Sequence, residues 1–170
     1  MSSLPIYLRH PLLALCFLFL IACSDSDNPA VDQAVNQPPI ASLNVYKSRT
    51  CQCCEKWVEH IEQAGFEIKT HHPADLNKVK NEVGIVPQFQ SCHTAVTTEG
   101  YVFEGHIPAR YIRQFLENPP SDAIGLSVPG MPPGSPGMEM GDKFSPYKIW
   151  LIKKDGSTAV FASVDSSNQQ

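Results

Sequence analysis

The sequence predicts an α/β fold, from three observations. Short segments of alternating polarity are separated by segments of helical periodicity, the first helix opens on a cluster of thiols, and an X-Pro pair stands just ahead of a β-hairpin pattern. Leu43-Asn44-Val45-Tyr46 alternates and runs into the polar turn Lys47-Ser48-Arg49-Thr50. A helix follows from about Cys53 to Ala64, with Trp57, Ile61 and Ala64 on one face, Val58 beside them and Gly65 as the stop. Residues 66–70 alternate again as a second strand. Pro73 and Asp75 open a second helix whose inward stripe is Leu76, Val79 and Val83; Lys78 and Lys80 are expected to face solvent, and Gly84 ends it.

Ile85-Val86-Pro87 is extended, because the residue before a proline is pushed out of the helical region. Residues 92–98 and 101–104, joined by Glu99-Gly100, read as a hairpin. Pro108 starts a third helix lined by Ile112, Phe115 and Leu116 and stopped by Asn118-Pro119-Pro120. A Pro/Gly loop with Met131, Met138 and Met140 comes next. Residues 147–152 and 157–161, split by Lys154-Asp155-Gly156, then form a second hairpin. The order β-α-β-α-β-β-α with an added C-terminal β-hairpin is the thioredoxin-like plan, with a parallel pair first and antiparallel strands on the same sheet. In that plan cysteines sit at the start of the first helix and a cis-proline precedes the third strand. Cys51 and Cys54 have the Cys-x-x-Cys spacing and Pro87 takes the proline's place, so Pro87 and Cys92 are expected near the thiols.

The ends read differently from the domain. Arg9 and His10 precede an apolar run, residues 12–21, too short for a mature membrane span, and the run closes on Leu20-Ile21-Ala22-Cys23. Residues 1–22 therefore read as a signal peptide, and the four-residue close resembles a bacterial lipobox. That resemblance implies cleavage before Cys23, lipidation of Cys23 and, with Ser24 next, an outer-membrane, periplasm-facing location. Residues 23–42 are a polar tether, 43–162 the folded domain and 163–170 a disordered tail. Loss of residues 1–22, with Arg9 and no acid, moves the formal charge from −4 to −5, which excludes nucleic acid as a partner. The membrane is met through the lipid anchor only.

Six cysteines are present; Cys16 leaves with the signal and Cys23 goes to lipid, leaving Cys51, Cys53, Cys54 and Cys92. Export makes two structural disulfides one reading. The spacing opposes it, since adjacent Cys53 and Cys54 are poor staples and a loop over residues 51–54 closes little chain entropy. A helix N-terminus favours thiolate over thiol, and thiolates bind soft metals. A mononuclear zinc site expects two spaced pairs of ligands, whereas several Cu(I) ions sharing bridging thiolates suit neighbouring cysteines, so copper stands ahead of zinc. Thioethers in the Pro/Gly loop are Cu(I) ligands as well, Met131 and Met138 ahead of Met140. His93, directly after Cys92, is expected on the opposite face if both lie in the strand, as a satisfied structural histidine just outside the ligand set. His106 is expected just outside the ligand set, His71-His72 as an exposed pair, and His60 carries no assignment.

Four stretches carry a family resemblance: Tyr46-Lys47-Ser48-x-Thr50-Cys51-x-Cys53-Cys54-x-Lys56-Trp57; Val86-Pro87 with Ser91-Cys92-His93-Thr94-Ala95; Gly100-Tyr101-Val102-x-Glu104-Gly105-His106-x-Pro108; and Val128-Pro129-Gly130-Met131-Pro132-x-Gly134-Ser135-Pro136-Gly137-Met138-Glu139. Together they resemble CopG-type periplasmic copper-resistance proteins, over about residues 43–161. The resemblance implies a thioredoxin-like domain holding a polynuclear Cu(I)–thiolate cluster through Cys51, Cys53, Cys54 and Cys92, with copper ions and other periplasmic copper-resistance proteins as partners and a redox role in copper detoxification. Two other readings remain open. One is a thiol–disulfide oxidoreductase with Cys51 attacking and Cys54 resolving, and Pro87 shaping the groove. The other is a disulfide-stabilised lipoprotein that docks an envelope protein.

Overall fold

The computed structural model describes residues 39–170. The signal peptide, Cys23 with its lipobox and most of the tether lie outside the described residues. Seven strands form one sheet: β1 (Ser42–Lys47), β2 (Glu67–His71), β3 (His93–Thr97), β4 (Val102–Glu104), β5 (Ala123–Ser127), β6 (Tyr147–Lys153) and β7 (Thr158–Val164). Three helices accompany it: α1 (Gln52–Gln63), α2 (Leu76–Glu82) and α3 (Ala109–Glu117). Among the described residues no helix is long and apolar enough to cross a membrane.

The strand order is β2-β1-β3-β4-β5-β6-β7. β1 pairs parallel with β2 and antiparallel with β3, and β3 pairs antiparallel with β4. That arrangement, with α1 and α2 as crossovers, is the thioredoxin-like plan, and the C-terminal hairpin of β6 and β7 extends its sheet. β5 was not expected. It lies parallel to β4 and joins the hairpin to the core. Gly125 hides it from a pattern reading, because a glycine inside a strand weakens the signal. The glycine is required there: a Cβ at Gly125 would sit 1.7 Å from the Val102 carbonyl oxygen.

Alternation along the strands separates two apolar clusters. Phe103, Leu126 and Leu151 join the larger one with Trp57, Ile61, Ile112 and Phe115 from α1 and α3. Val102 and Ile152, one residue along, join Ile85 with Val83, Phe89 and Trp150 in the smaller one. The expected inner faces of α1 and α3 hold, with Trp57, Ile61, Ile112 and Phe115 fully buried. The face of α2 differs: Lys80, expected in solvent, is buried, while Leu76 and Val79 are half-buried. Lys47, expected in a polar turn, closes β1 and is also fully buried.

Both ends of the domain reach further than expected. The Ile40 amide donates to the Gly65 carbonyl, and the Ala41 carbonyl accepts from Glu67. Residues 163–170, expected as a loose tail, continue β7 and then turn through Ser167–Gln169, where Ser166 and Gln169 form a capping box. The Gln170 side chain donates to the Gly134 carbonyl.

Candidate metal centre

β1 delivers the chain to the thiols, and α1 begins on them. Cys51 is the N-cap residue of α1, and its carbonyl accepts the Glu55 amide. Cys53 and Cys54 fall in the first turn and differ in exposure: Cys54 is buried, Cys53 half-buried. Cys51 and Cys54 are joined as a disulfide, with Cys53 and Cys92 as free thiols. The Cys53 sulfur is 3.5 Å from that of Cys51, and the Cys54 sulfur is 3.9 Å from the Cys92 carbonyl oxygen. The sulfurs of Cys51, Cys53, Cys54 and Cys92 all lie within 4.8 Å of one another. Cys92 reaches them because it stands just before β3, whose pairing with β1 brings Lys47 opposite His93.

Two histidines complete the group. His106 Nε2 is 2.9 Å from the Cys92 sulfur, and its Nδ1 donates to the Pro136 carbonyl at 2.7 Å. That bond fixes the tautomer and leaves Nε2 a lone pair facing the sulfur. His93 turns toward Cys92 rather than to the opposite face. Because Cys92 lies outside the strand, alternation does not send the two residues to opposite faces, and His93 Nδ1 is 3.4 Å from the Cys92 sulfur. It is fully buried, packs on Trp57 and His106, and its Nε2 has no hydrogen-bond partner. Cys92, His93 and His106 thus form a second group of donors within 4.8 Å, sharing Cys92 with the first.

Burial sets the charge states. It pushes the Cys92 thiol up to about 12, with neighbouring Cys53 adding to the rise, so without metal Cys92 is a thiol that donates to neutral His106. Burial holds His106 below its ordinary value. Burial holds His93 well below, with the nearby His106, Lys80 and Lys47 acting the same way. Both imidazoles are therefore neutral, as metal ligands must be. Lys47 and Lys80 are buried as well, each paired with a carboxylate, Glu55 and Glu104. With the Cys51–Cys54 disulfide reduced, four thiols with neutral imidazole nitrogen beside them would form a soft donor set that fits Cu(I).

The family described as "Protein of unknown function, DUF411" matches residues 89–138, a span that includes Cys92, His106, Met131 and Met138. No match is found among curated proteins. Among solved structures, "Copper resistance protein copG- Form 2" is similar at 38% identity with a TM-score of 0.70, over 74% of this chain and 98% of that one. "Copper resistance protein copG- Form 1" is similar at the same identity and TM-score, over 76% of this chain and 100% of that one. This chain belongs to the CopG family.

The Pro/Gly loop of this CopG member wraps the centre with its backbone. Besides the Pro136 bond to His106, Gly137 lies against the start of α1, and the Ser91 hydroxyl donates to the Gly130 carbonyl. Met138 follows Gly137 and is half-buried; Met131 follows Gly130 and is 50% exposed. Met140, 57% exposed beyond them, is further along the loop. Pro87 is exposed and opens the 3-10 turn Pro87–Phe89, and Cys92 rather than Pro87 stands immediately before β3. His60, left without a role by its sequence context, accepts the Ala109 amide at the start of α3. His71, half-buried where an exposed residue was expected, bonds to Asn44 and stacks on Tyr46, and the exposed His72 bonds to the Lys47 carbonyl.

Proposed function

We propose that the domain takes up several Cu(I) ions as its cargo in a polynuclear thiolate cluster held by Cys51, Cys53, Cys54 and Cys92. The observation that carries this reading is the convergence of the four sulfurs within 4.8 Å, a spacing at which one sulfur can bridge two metals. His106 Nε2 joins as a nitrogen ligand through its approach to Cys92, with Met138 and Met131 as thioether ligands from the loop. The disulfide supports a redox side to the reading. Two Cu(I) ions each give up one electron and leave as Cu(II); the Cys51–Cys54 bond accepts both electrons and opens to two thiolates. The reverse step oxidises the dithiol and returns two Cu(I).

The domain works in the periplasm, on a tether spanning residues 23–42, after removal of residues 1–22 and lipidation of Cys23, anchored to the outer membrane and serving copper resistance beside other envelope copper proteins. The reading rests on the Leu20-Ile21-Ala22-Cys23 close and the polar stretch after it.

The deciding experiment loads the reduced protein with Cu(I) without oxygen, then counts copper and follows ultraviolet charge transfer. Several copper ions per wild-type chain and a sharp drop in Cys92→Ser are expected. Background copper with one zinc per chain sinks the reading.

A thiol–disulfide oxidoreductase is the second reading, favoured by the position of the Cys51–Cys54 disulfide at the N-terminus of α1. Disulfide reduction by the metal-free form that survives Cys53→Ser and disappears in Cys51→Ser would support it.

A further inference from the structure

The smaller face of the sheet hides an ion pair whose cost demands a reason. Lys80 and Glu104 are 2% and 0% exposed, and taking such a pair out of water is costly unless their attraction and hydrogen bonds offset it. Hydrophobic residues of the same volume would serve packing alone as well or better. What the pair holds is specific. Glu104 Oε1 accepts from Lys80 Nζ at 2.5 Å and from the Ser91 amide at 2.6 Å. Glu104 Oε2 accepts from the Thr94 hydroxyl at 2.6 Å, and that hydroxyl accepts from Lys80 Nζ at 2.9 Å.

Those contacts bracket the centre. Ser91 immediately precedes Cys92, and Thr94 immediately follows His93. Glu104 itself ends β4, from which the chain passes through Gly105 to His106. One buried carboxylate therefore clamps both sides of the Cys92-His93 pair to the strand that delivers His106. We propose that Glu104, charge-balanced by Lys80, is the positioning residue that sets Cys92 against His106 and the other thiols. It touches no metal; it acts through the Ser91 amide and the Thr94 hydroxyl. The proposal deepens the copper reading and rests on it only for the consequence in metal loading.

Two double variants separate positioning from mere stability, because both remove the same two charges. Glu104→Gln with Lys80→Met keeps an acceptor oxygen for the Ser91 amide; Glu104→Ala with Lys80→Met keeps none. The first readout is Cys92 alkylation in metal-free protein with the Cys51–Cys54 disulfide intact, located by peptide mass spectrometry. The glutamine pair should stay within about twofold of wild type, and the alanine pair should react about tenfold faster, as expected for losing hydrogen bonds to a buried acceptor. The second readout is copper per chain after reduction, which should hold in the glutamine pair and fall in the alanine pair.

Equal alkylation rates in the two pairs overturn the proposal. Should the alanine pair fail to fold by near-ultraviolet dichroism, Thr94→Val, which removes one arm of the clamp, should still speed Cys92 alkylation severalfold; an unchanged rate there overturns it too. If wild type takes no copper while the alkylation difference stands, the copper reading fails and the positioning role survives.

Discussion

Gly137 lies against the carbonyl of Cys53, so close that a Cβ on it would stand 2.5 Å from that oxygen and 2.9 Å from the Trp57 amide nitrogen. Its φ of +85° is one that side chains resist as well. Gly137→Ala is therefore expected to lift the loop off α1. The cost in stability should be about 1–3 kcal/mol. Cys53 should become more accessible to alkylating reagents, and a chromophoric chelator should strip Cu(I) faster. Thermal melts with and without copper, together with chelator competition, check all three.

His106 is fixed from behind by Pro136 and faces Cys92 with Nε2. His106→Ala should weaken Cu(I) retention by about 10- to 100-fold, the range found when a metal site loses an orienting or ligating neighbour. Chelator titration measures it. The altered charge-transfer band distinguishes a lost ligand from a general loss of fold, which dichroism of the metal-free protein reports.

Acid should destabilise the metal-free protein. Burial holds His60, His93 and His106 below their ordinary value of 6.5, so the unfolded chain binds more protons than the native one once pH falls below that value. Their contribution to stability is complete above pH 6.5 and is lost as pH falls through each lowered value. Glu104 acts with opposite sign, since burial raises it above 4.5 and its burden on the fold sets in as pH rises past that point. Melting temperatures at pH 7.5, 6 and 5 should fall steadily. His60→Gln, which changes a residue away from the sulfurs, should flatten part of that slope.

Trp57 donates its indole N–H to the Ile107 carbonyl at 2.9 Å and carries the His93 ring on its face. Trp57→Phe leaves that carbonyl without its donor in a buried setting. A loss of about 1–3 kcal/mol is expected from denaturant unfolding of the metal-free protein.

Much of this was legible because cysteines and turn residues carry position-specific chemistry. The β-α-β opening, the hairpin and the faces of α1 and α3 followed from periodicity, and the meeting of Cys92 with the other thiols followed from placing those elements on one sheet. What escaped depended on contacts distant in sequence. Lys80 falls at a position of a short helix that reads as solvent-facing, and only Glu104, delivered by β4, makes its burial tolerable. Lys47 reads as turn until Glu55 is seen beside it. His93 was misplaced by assuming that β3 already includes Cys92. A single residue of register decides whether its ring faces the sulfurs. β5 was hidden by a glycine whose need is visible only against Val102.

The loop that holds His106 lies outside the β-α-β-α-β-β-α core, whereas the four clustered cysteines come from within that core or its lead-in. The cysteines and the orientation of His106 therefore rest on separate parts of the fold. Changes in the Pro136 segment can shift how His106 meets Cys92 while leaving the scaffold untouched.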